Sequence, residues 1–348
     1  MLNETARRAL FSSDYMEGAH PEVLRRLAET NFVKTPGYGL DAISDGAREK
    51  IRAACACPGA AVHFLVGGTQ TNATVIDALL RPYQGVIAAD SGHISVHEAG
   101  AIELGGHKVL TAPHENGKLT AGAVAAILSG WQGDENRAHM VMPGMVYISH
   151  PTEFGTLYSL AELAALSDVC RGAGIPLYLD GARLAYALAC PGNDVRLADI
   201  ARLCDVFYIG GTKCGALCGE AVVVPEPELL PGFFTIMKQH GALMAKGRVL
   251  GVQFDALFTD GLYEKGGQTA IRAADRIRAA LRERGYRFFI DSPTNQIFLI
   301  LDRDRAAILT EQAGVGFFEG CDERRGVYRI VTSWATADED VDALIRCL

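Results

Sequence analysis

The stretch Asp205-Val-Phe-Tyr-Ile-Gly-Gly-Thr-Lys213-Cys-Gly-Ala-Leu-Cys-Gly-Glu220 decides how the chain is read. Residues 206–209 form an apolar run of strand length that stops at Gly210-Gly211, and a second run, 221–224, begins just after Gly219. Between them lies a glycine-punctuated loop with a single lysine. Glycine lets such a loop turn sharply and lets a ligand approach the backbone. A lysine held between apolar strands loses hydration, and burial lowers the pKa of an amine. That is the setting of a Schiff-base lysine, formed with a carbonyl or with pyridoxal phosphate. The loop alone fits a surface lysine equally well, so the neighbouring elements have to separate the two.

Working outward, residues 175–180 read as a strand ending in Asp180, with Gly181-Ala182-Arg183 turning into a helix. Residues 145–150 form a strand ending in His150, followed by Pro151-Thr152-Glu153-Phe154-Gly155-Thr156. The strand 85–90 precedes Ser91-Gly92-His93, with His97 and Glu98 beyond. The strand 61–66 runs into Gly67-Gly68-Thr69-Gln70 and a helix over 73–80. A strand, a glycine turn and a helix N-terminus together offer free N–H groups and a positive dipole end to a phosphate. The spacing is neither Walker A nor Gly-x-Gly-x-x-Gly, which removes the common nucleotide motifs.

Strands alternate with helices through residues 60–225, so a largely parallel α/β sheet is expected. In such sheets ligands bind outside the carboxyl ends of the strands. Gly68, Thr69, His93, His150, Asp180 and Lys213 all fall at those ends. That convergence turns Lys213 from a loop residue into a site residue. His93 and His97 have helical spacing but lack the His-Glu-x-x-His order, so no metal site is expected. Beyond Pro231 the pattern changes to helices over 233–250 and 269–284. Strands over 286–290, 296–301 and 326–334 and a closing helix over 338–348 complete a small α+β unit.

The 348 residues are 49% hydrophobic and 21% charged, with a net charge of −8, which argues for a soluble globular enzyme and against nucleic acid or an anionic membrane as partner. No run reaches transmembrane length, and residues 1–8 lack the apolar core of a signal peptide. The nine cysteines form no Cys-x-x-Cys pair, which suits reduced thiols in a cytoplasmic protein.

Several motifs together resemble the threonine aldolase and β-eliminating lyase family of pyridoxal-phosphate enzymes. They are Ser13-Asp14, Tyr38-Gly39-x-Asp41, Gly67-Gly-Thr-Gln70-x-Asn72, His93 with Glu98-Ala-Gly100, Asp180-Gly-Ala-Arg183, Thr212-Lys213 and Arg329-x-Val-Thr332. The pairing of Asp-Gly-Ala-Arg with Gly-Gly-Thr-Lys is the most specific part. The resemblance implies an aspartate-aminotransferase-like (fold type I) large domain over residues 1–245 and a small α+β domain over 246–348. It implies Lys213 as the Schiff-base lysine, Asp180 on the pyridine nitrogen, and Gly67, Gly68 and Thr69 on the phosphate. His93 would stack on the ring, and Arg183 would reach the cofactor or the substrate carboxylate. Ser13 and Arg329 would hold that carboxylate. His93 and His150 are the candidate bases, with His150 equally readable as a strand-end histidine.

The implied reaction is retro-aldol cleavage of L-threonine or L-allo-threonine to glycine and acetaldehyde, in a homodimer or homotetramer. A β-eliminating lyase, a phenylserine-type aldolase, an aminotransferase and a non-catalytic small-molecule binding protein are the alternatives. The chain also departs from the family pattern. Cys214-Gly follows the lysine, Ser12 stands in place of arginine, and His97 fills an aromatic position. Ala245 falls where a phosphate-binding arginine belongs, and Lys246 is the candidate substitute.

Overall fold

A computed structural model describes residues 9–348, so the reading of residues 1–8 lies outside the described residues. Its centre is a seven-stranded mixed sheet. The strands are β1 (Ala61–Leu65), β2 (Gln84–Ala89), β3 (Val109–Ala112), β4 (Met142–Ser149), β5 (Leu177–Asp180), β6 (Val206–Gly210) and β7 (Glu220–Val224), in the order β1-β7-β6-β5-β4-β2-β3. β5, β6 and β7 are buried along their whole length, which is why they read as continuous apolar runs rather than as an alternation. β2, β3, β4, β5 and β6 pair in parallel, whereas β7 runs antiparallel to both β6 and β1. That reversal has a consequence for the site. The first residue of β7, Glu220, sits opposite Gly210 and Leu65, at the edge where the other strands end.

The second sheet is antiparallel: β8 (Phe288–Ile290), β9 (Gln296–Asp302), β10 (Gly316–Gly320) and β11 (Arg325–Val331), in the order β10-β11-β9-β8. The 22-residue helix Leu262–Glu283 links the two bodies, packing on the helix Leu184–Ala189 and on β9. The chain start returns to this second body. Phe11 lies in its core and bonds through its backbone to Ala313 and Val331. The division expected at 245/246 falls in the turn just before the helix Arg248–Leu257, which packs on the helices Pro21–Thr30 and Ala42–Ala54.

The structure corrects two elements of the sequence reading. The helix expected over 233–250 is broken after Gln239, because Gly241 takes a φ of 66° and the Ala242 amide turns back to the Met237 carbonyl. β10 escaped notice because Gly316-Phe-Phe-Glu-Gly carries neither alternation nor a long apolar run. Among the described residues no helix is long and apolar enough to cross a membrane.

Candidate active site

The carboxyl ends of β1, β2, β4, β5 and β6 converge on a small open cavity. Its walls include Gly68, His93, Glu153, Asp180, Arg183 and Lys213. Five of the expected site residues therefore meet in one place.

Lys213 follows β6 in a turn closed by Gly211 and Thr212 amides donating to the Gly219 carbonyl at 3.0 and 3.1 Å. Thr212 Oγ1 donates to Glu220 Oε1 at 2.8 Å, and the Gly211 amide donates to Glu220 Oε2 at 3.0 Å. Burial lowers the pKa of the Lys213 amine, and the nearby Arg183 charge lowers it further. Asp14, Asp180 and Glu220 oppose them without cancelling them. Burial also pushes the Glu220 carboxyl up, to about 8. Cys214, which directly follows the lysine, is 2% exposed with its thiol pushed up to about 12, so it serves as a small core residue rather than a nucleophile.

Asp180 ends β5, and Gly181 behind it lets β5 and β6 close up, since a Cβ there would stand 2.1 Å from the Tyr208 carbonyl. The carboxylate accepts four hydrogen bonds. Oδ1 takes Tyr208 Oη at 2.5 Å and the Ala182 amide at 2.9 Å; Oδ2 takes Tyr147 Oη at 2.7 Å and Asn72 Nδ2 at 3.1 Å. Burial alone would raise its pKa, but the His93 charge and these bonds outweigh it, and the group is held below its ordinary value. Asn72 also donates to Glu98 Oε1 at 2.7 Å, and the same oxygen meets His93 Nδ1 at 2.7 Å. A carboxylate only accepts, so the Nδ1 proton stays on His93 and leaves Nε2 as the reactive nitrogen.

Arg183 makes a two-pronged pair with fully buried Asp14, Nε to Oδ2 at 2.7 Å and Nη2 to Oδ1 at 3.0 Å. Asn295 Nδ2 adds a third bond to Asp14 at 2.9 Å. Arg329, on β11, is different. Its Nη1 donates to the neutral Gln296 Oε1 at 2.9 Å, and burial beside the Arg183 charge lowers its pKa to about 10, still charged near neutrality. The buried Ser13 hydroxyl, on the segment that pairs with β11, has no hydrogen-bond partner among the described residues.

At the Gly67-Gly68-Thr69 turn the helix Gly68–Leu79 starts with no side-chain cap, so its first amides are free for an anion. Of the other expected residues, Gly67, Thr69, Ser13 and Arg329 are not on the cavity wall, and His150 and Lys246 stand apart from it. His150 is 1% exposed, with Nδ1 accepting from the Tyr158 amide at 3.3 Å and Nε2 unpartnered, and burial lowers its pKa to about 4. Lys246 is exposed on the turn before the helix Arg248–Leu257, while Arg248 caps the end of the helix Pro21–Thr30 through three backbone carbonyls. The sequence reading missed the roles of Tyr147, Tyr208, Glu153 and Glu220. Tyrosines inside a strand look like core, and Glu220 opens an apolar run, so no local pattern separates them from packing residues.

The family model for beta-eliminating lyases matches residues 11–315. The chain belongs to the beta-eliminating lyase family. It is 31% identical over 343 residues to the low specificity L-threonine aldolase of Pseudomonas aeruginosa, covering 97% of this chain and 96% of that one. It is 29% identical over 341 residues to the enzyme of the same name from a Pseudomonas species, covering 96% and 95%. Among solved structures it matches the threonine aldolase of Leishmania major with a TM-score of 0.94 at 42% identity, over 97% of this chain and 98% of that one. A single-mutant aspartate aminotransferase of Thermus thermophilus shares the fold, with a TM-score of 0.72 at 17% identity over 98% and 90%. The fold is therefore the aminotransferase-like one, fold type I, as the motifs implied. In this member of the family, Asp180, Lys213 and Gly68 line one cavity.

Proposed function

We propose that the chain is a pyridoxal-phosphate-dependent aldolase that splits β-hydroxy-α-amino acids of the threonine class into glycine and an aldehyde. The observation that carries this reading is the placement of a buried amine of lowered pKa, Lys213, in one cavity with a carboxylate held anionic, Asp180, and with Arg183, whose charge also bears on Arg329. The residues fit pyridoxal phosphate. Lys213 would hold it covalently, Asp180 would face the ring nitrogen, and the uncapped turn Gly67–Thr69 would take the phosphate. When bound, it supplies an electron sink for the bond broken at Cα.

The chain's own groups do the rest. Arg329 and the orphaned Ser13 hydroxyl bind the substrate carboxylate, and the flat guanidinium matches its two oxygens. Arg183, fixed by Asp14, keeps positive potential over the same region and lowers the pKa of the Lys213 amine. His93, with Nδ1 tied to Glu98, presents a fixed ring to the cavity. Lys213 is the proton carrier at Cα. The curated relatives named as low specificity L-threonine aldolases support the substrate class.

The reading also carries a homo-oligomer. Phe32 is 93% exposed, and Val33, Tyr38 and Leu40 stand exposed near it in sequence, an apolar stretch suited to a second copy. Light scattering of the purified protein would report it.

The decisive experiment is incubation of the reconstituted protein with L-threonine and L-allo-threonine, with product analysis. Glycine and acetaldehyde in equal amounts are expected. Ammonia with a keto acid would point to β-elimination, amino transfer to an added keto acid would point to an aminotransferase, and no product with no visible absorbance would end the enzyme reading.

A further inference from the structure

We propose that Glu153 is the group that takes the proton from the substrate's β-hydroxyl, receiving it on Oε2. The inference rests on the aldolase reading above and names the base that the reading leaves open.

Glu153 sits in a tight turn after β4, closed by the Thr152 amide donating to the Thr156 carbonyl at 3.0 Å and the Gly155 amide to the Thr152 carbonyl at 2.8 Å. Gly155 takes a φ of 69° there, and a Cβ on it would stand 2.2 Å from Ser292 Oγ. Phe154 points the other way, into an aromatic cluster of the second body, with ring centroids 5.5 Å from Phe318 and 6.1 Å from Phe289. The turn is anchored by its neighbours on both sides, and Glu153 is aimed into the cavity as a result.

Three carboxyl groups line that cavity: Asp180, Glu220 and Glu153. Both oxygens of Asp180 accept two donors each, and both oxygens of Glu220 are engaged. Glu153 differs. Its Oε1 accepts the His93 amide at 2.9 Å and Ser149 Oγ at 2.6 Å, while among the described residues no other residue donates to Oε2. A proton added to this carboxyl therefore has Oε2 as its seat, within the cavity. The groups facing it are His93, Asp180, Arg183, Tyr147 and Tyr158. Burial raises its pKa and Asp180 adds to the rise; Ser149, its own backbone amide and His93 offset only part of it. A carboxylate raised toward the working pH is a better proton acceptor than an ordinary one.

In the step, the β-hydroxyl O–H bond breaks and its proton passes to Glu153 Oε2. The O–H electron pair becomes the second bond of the aldehyde carbonyl. The Cα–Cβ pair stays with Cα, where the bound cofactor would supply the electron sink. The proton returned to Cα comes from Lys213, and Glu153 releases its own to water once the aldehyde has left. His93 is the rival for this role, and the two are linked because the His93 backbone amide fixes Glu153.

The test compares E153Q and His93→Asn with the unaltered enzyme in two reactions. Glycine exchanges its α-proton with deuterated solvent through Lys213 and has no β-hydroxyl, so it needs no base at Cβ; threonine cleavage needs one. E153Q keeps an oxygen acceptor for His93 and Ser149. Its kcat for threonine is expected to fall ~10²–10⁴-fold, the usual worth of a general base, with glycine exchange near that of the unaltered enzyme. Cofactor-free protein labelled with ¹³C at the glutamate carboxyls supplies a second readout. The resonance missing in E153Q should titrate above the ordinary glutamate range. Normal cleavage by E153Q, equal loss of both reactions, or selective loss of cleavage in His93→Asn alone would each overturn the proposal. A wild-type enzyme that exchanges glycine but never cleaves threonine would instead sink the aldolase reading itself.

Discussion

Asp180, buried, and Glu153, half-buried, stand on the walls of one cavity, yet their surroundings drive them in opposite directions. Asp180 is saturated by two tyrosines, an asparagine amide and a backbone amide, and is held as an anion. Glu153 has only one oxygen so occupied, and its pKa is raised. Desolvation is the largest single influence on both, so the His93 charge and the donors around each carboxyl decide the outcome. A buried carboxylate with four donors is a fixed charge; one with two, both on one oxygen, is a proton carrier. The same β4 strand supplies a donor to each, Tyr147 to Asp180 and Ser149 to Glu153.

The largest effect is expected from removing the amine that both walls face. Lys213→Ala should abolish the visible absorbance of the covalently held cofactor and lower threonine cleavage on the order of 10⁴–10⁶-fold, as loss of a catalytic nucleophile does elsewhere. Unchanged absorbance in that variant would break the site assignment altogether. Asp180→Asn comes next. An amide facing two tyrosine hydroxyls and Asn72 cannot reproduce the fixed charge, and a fall in kcat of roughly 10²–10³-fold is expected, the scale of one lost preorganised electrostatic partner. If Asp180→Asn and E153Q gave the same pH profile, the contrast between the two carboxyls would collapse.

Arg329→Ala should act on binding. Losing a charge-assisted pair of about 1.5–3 kcal/mol raises KM roughly 10–100-fold. kcat should move far less, because the carboxylate it holds does not change during the reaction. A drop in kcat at constant KM would place Arg329 with the reacting atoms instead.

Much of this arrangement could be read along the chain. Alternating strands and helices with chemistry at the strand ends gave the parallel sheet and brought together Gly68, His93, Asp180, Arg183 and Lys213. What stayed hidden depends on groups far apart in sequence or on strand direction. Glu220 reaches the site because β7 runs antiparallel, a reversal with no local mark in Glu220–Val224. Tyr147 and Tyr208 serve Asp180 from the interiors of buried strands, where aromatic residues are expected for packing alone. Glu153 was visible as a loop residue, but its direction follows from Phe154 packing against a sheet more than a hundred residues away.

His150 supplies the last and smallest test, because it shares a strand end with Glu153 and yet points away from the cavity. Its imidazole is buried neutral, with the pKa lowered from 6.5 to about 4, so the unfolded chain binds the proton first as pH falls. The stability this group contributes is therefore complete above pH 6.5 and is lost progressively as pH drops toward 4, on the order of 3 kcal/mol in all. His150→Asn keeps an oxygen where Nδ1 accepts the Tyr158 amide but removes the titration. Chemical denaturation across that pH range should show a shallower acid slope in the variant, with kcat for threonine within about twofold of the unaltered enzyme, under 0.5 kcal/mol. A large loss of kcat would return His150 to the chemistry and leave Glu153 without its distinct role; an unchanged acid slope would mean that the ring is not held neutral by burial.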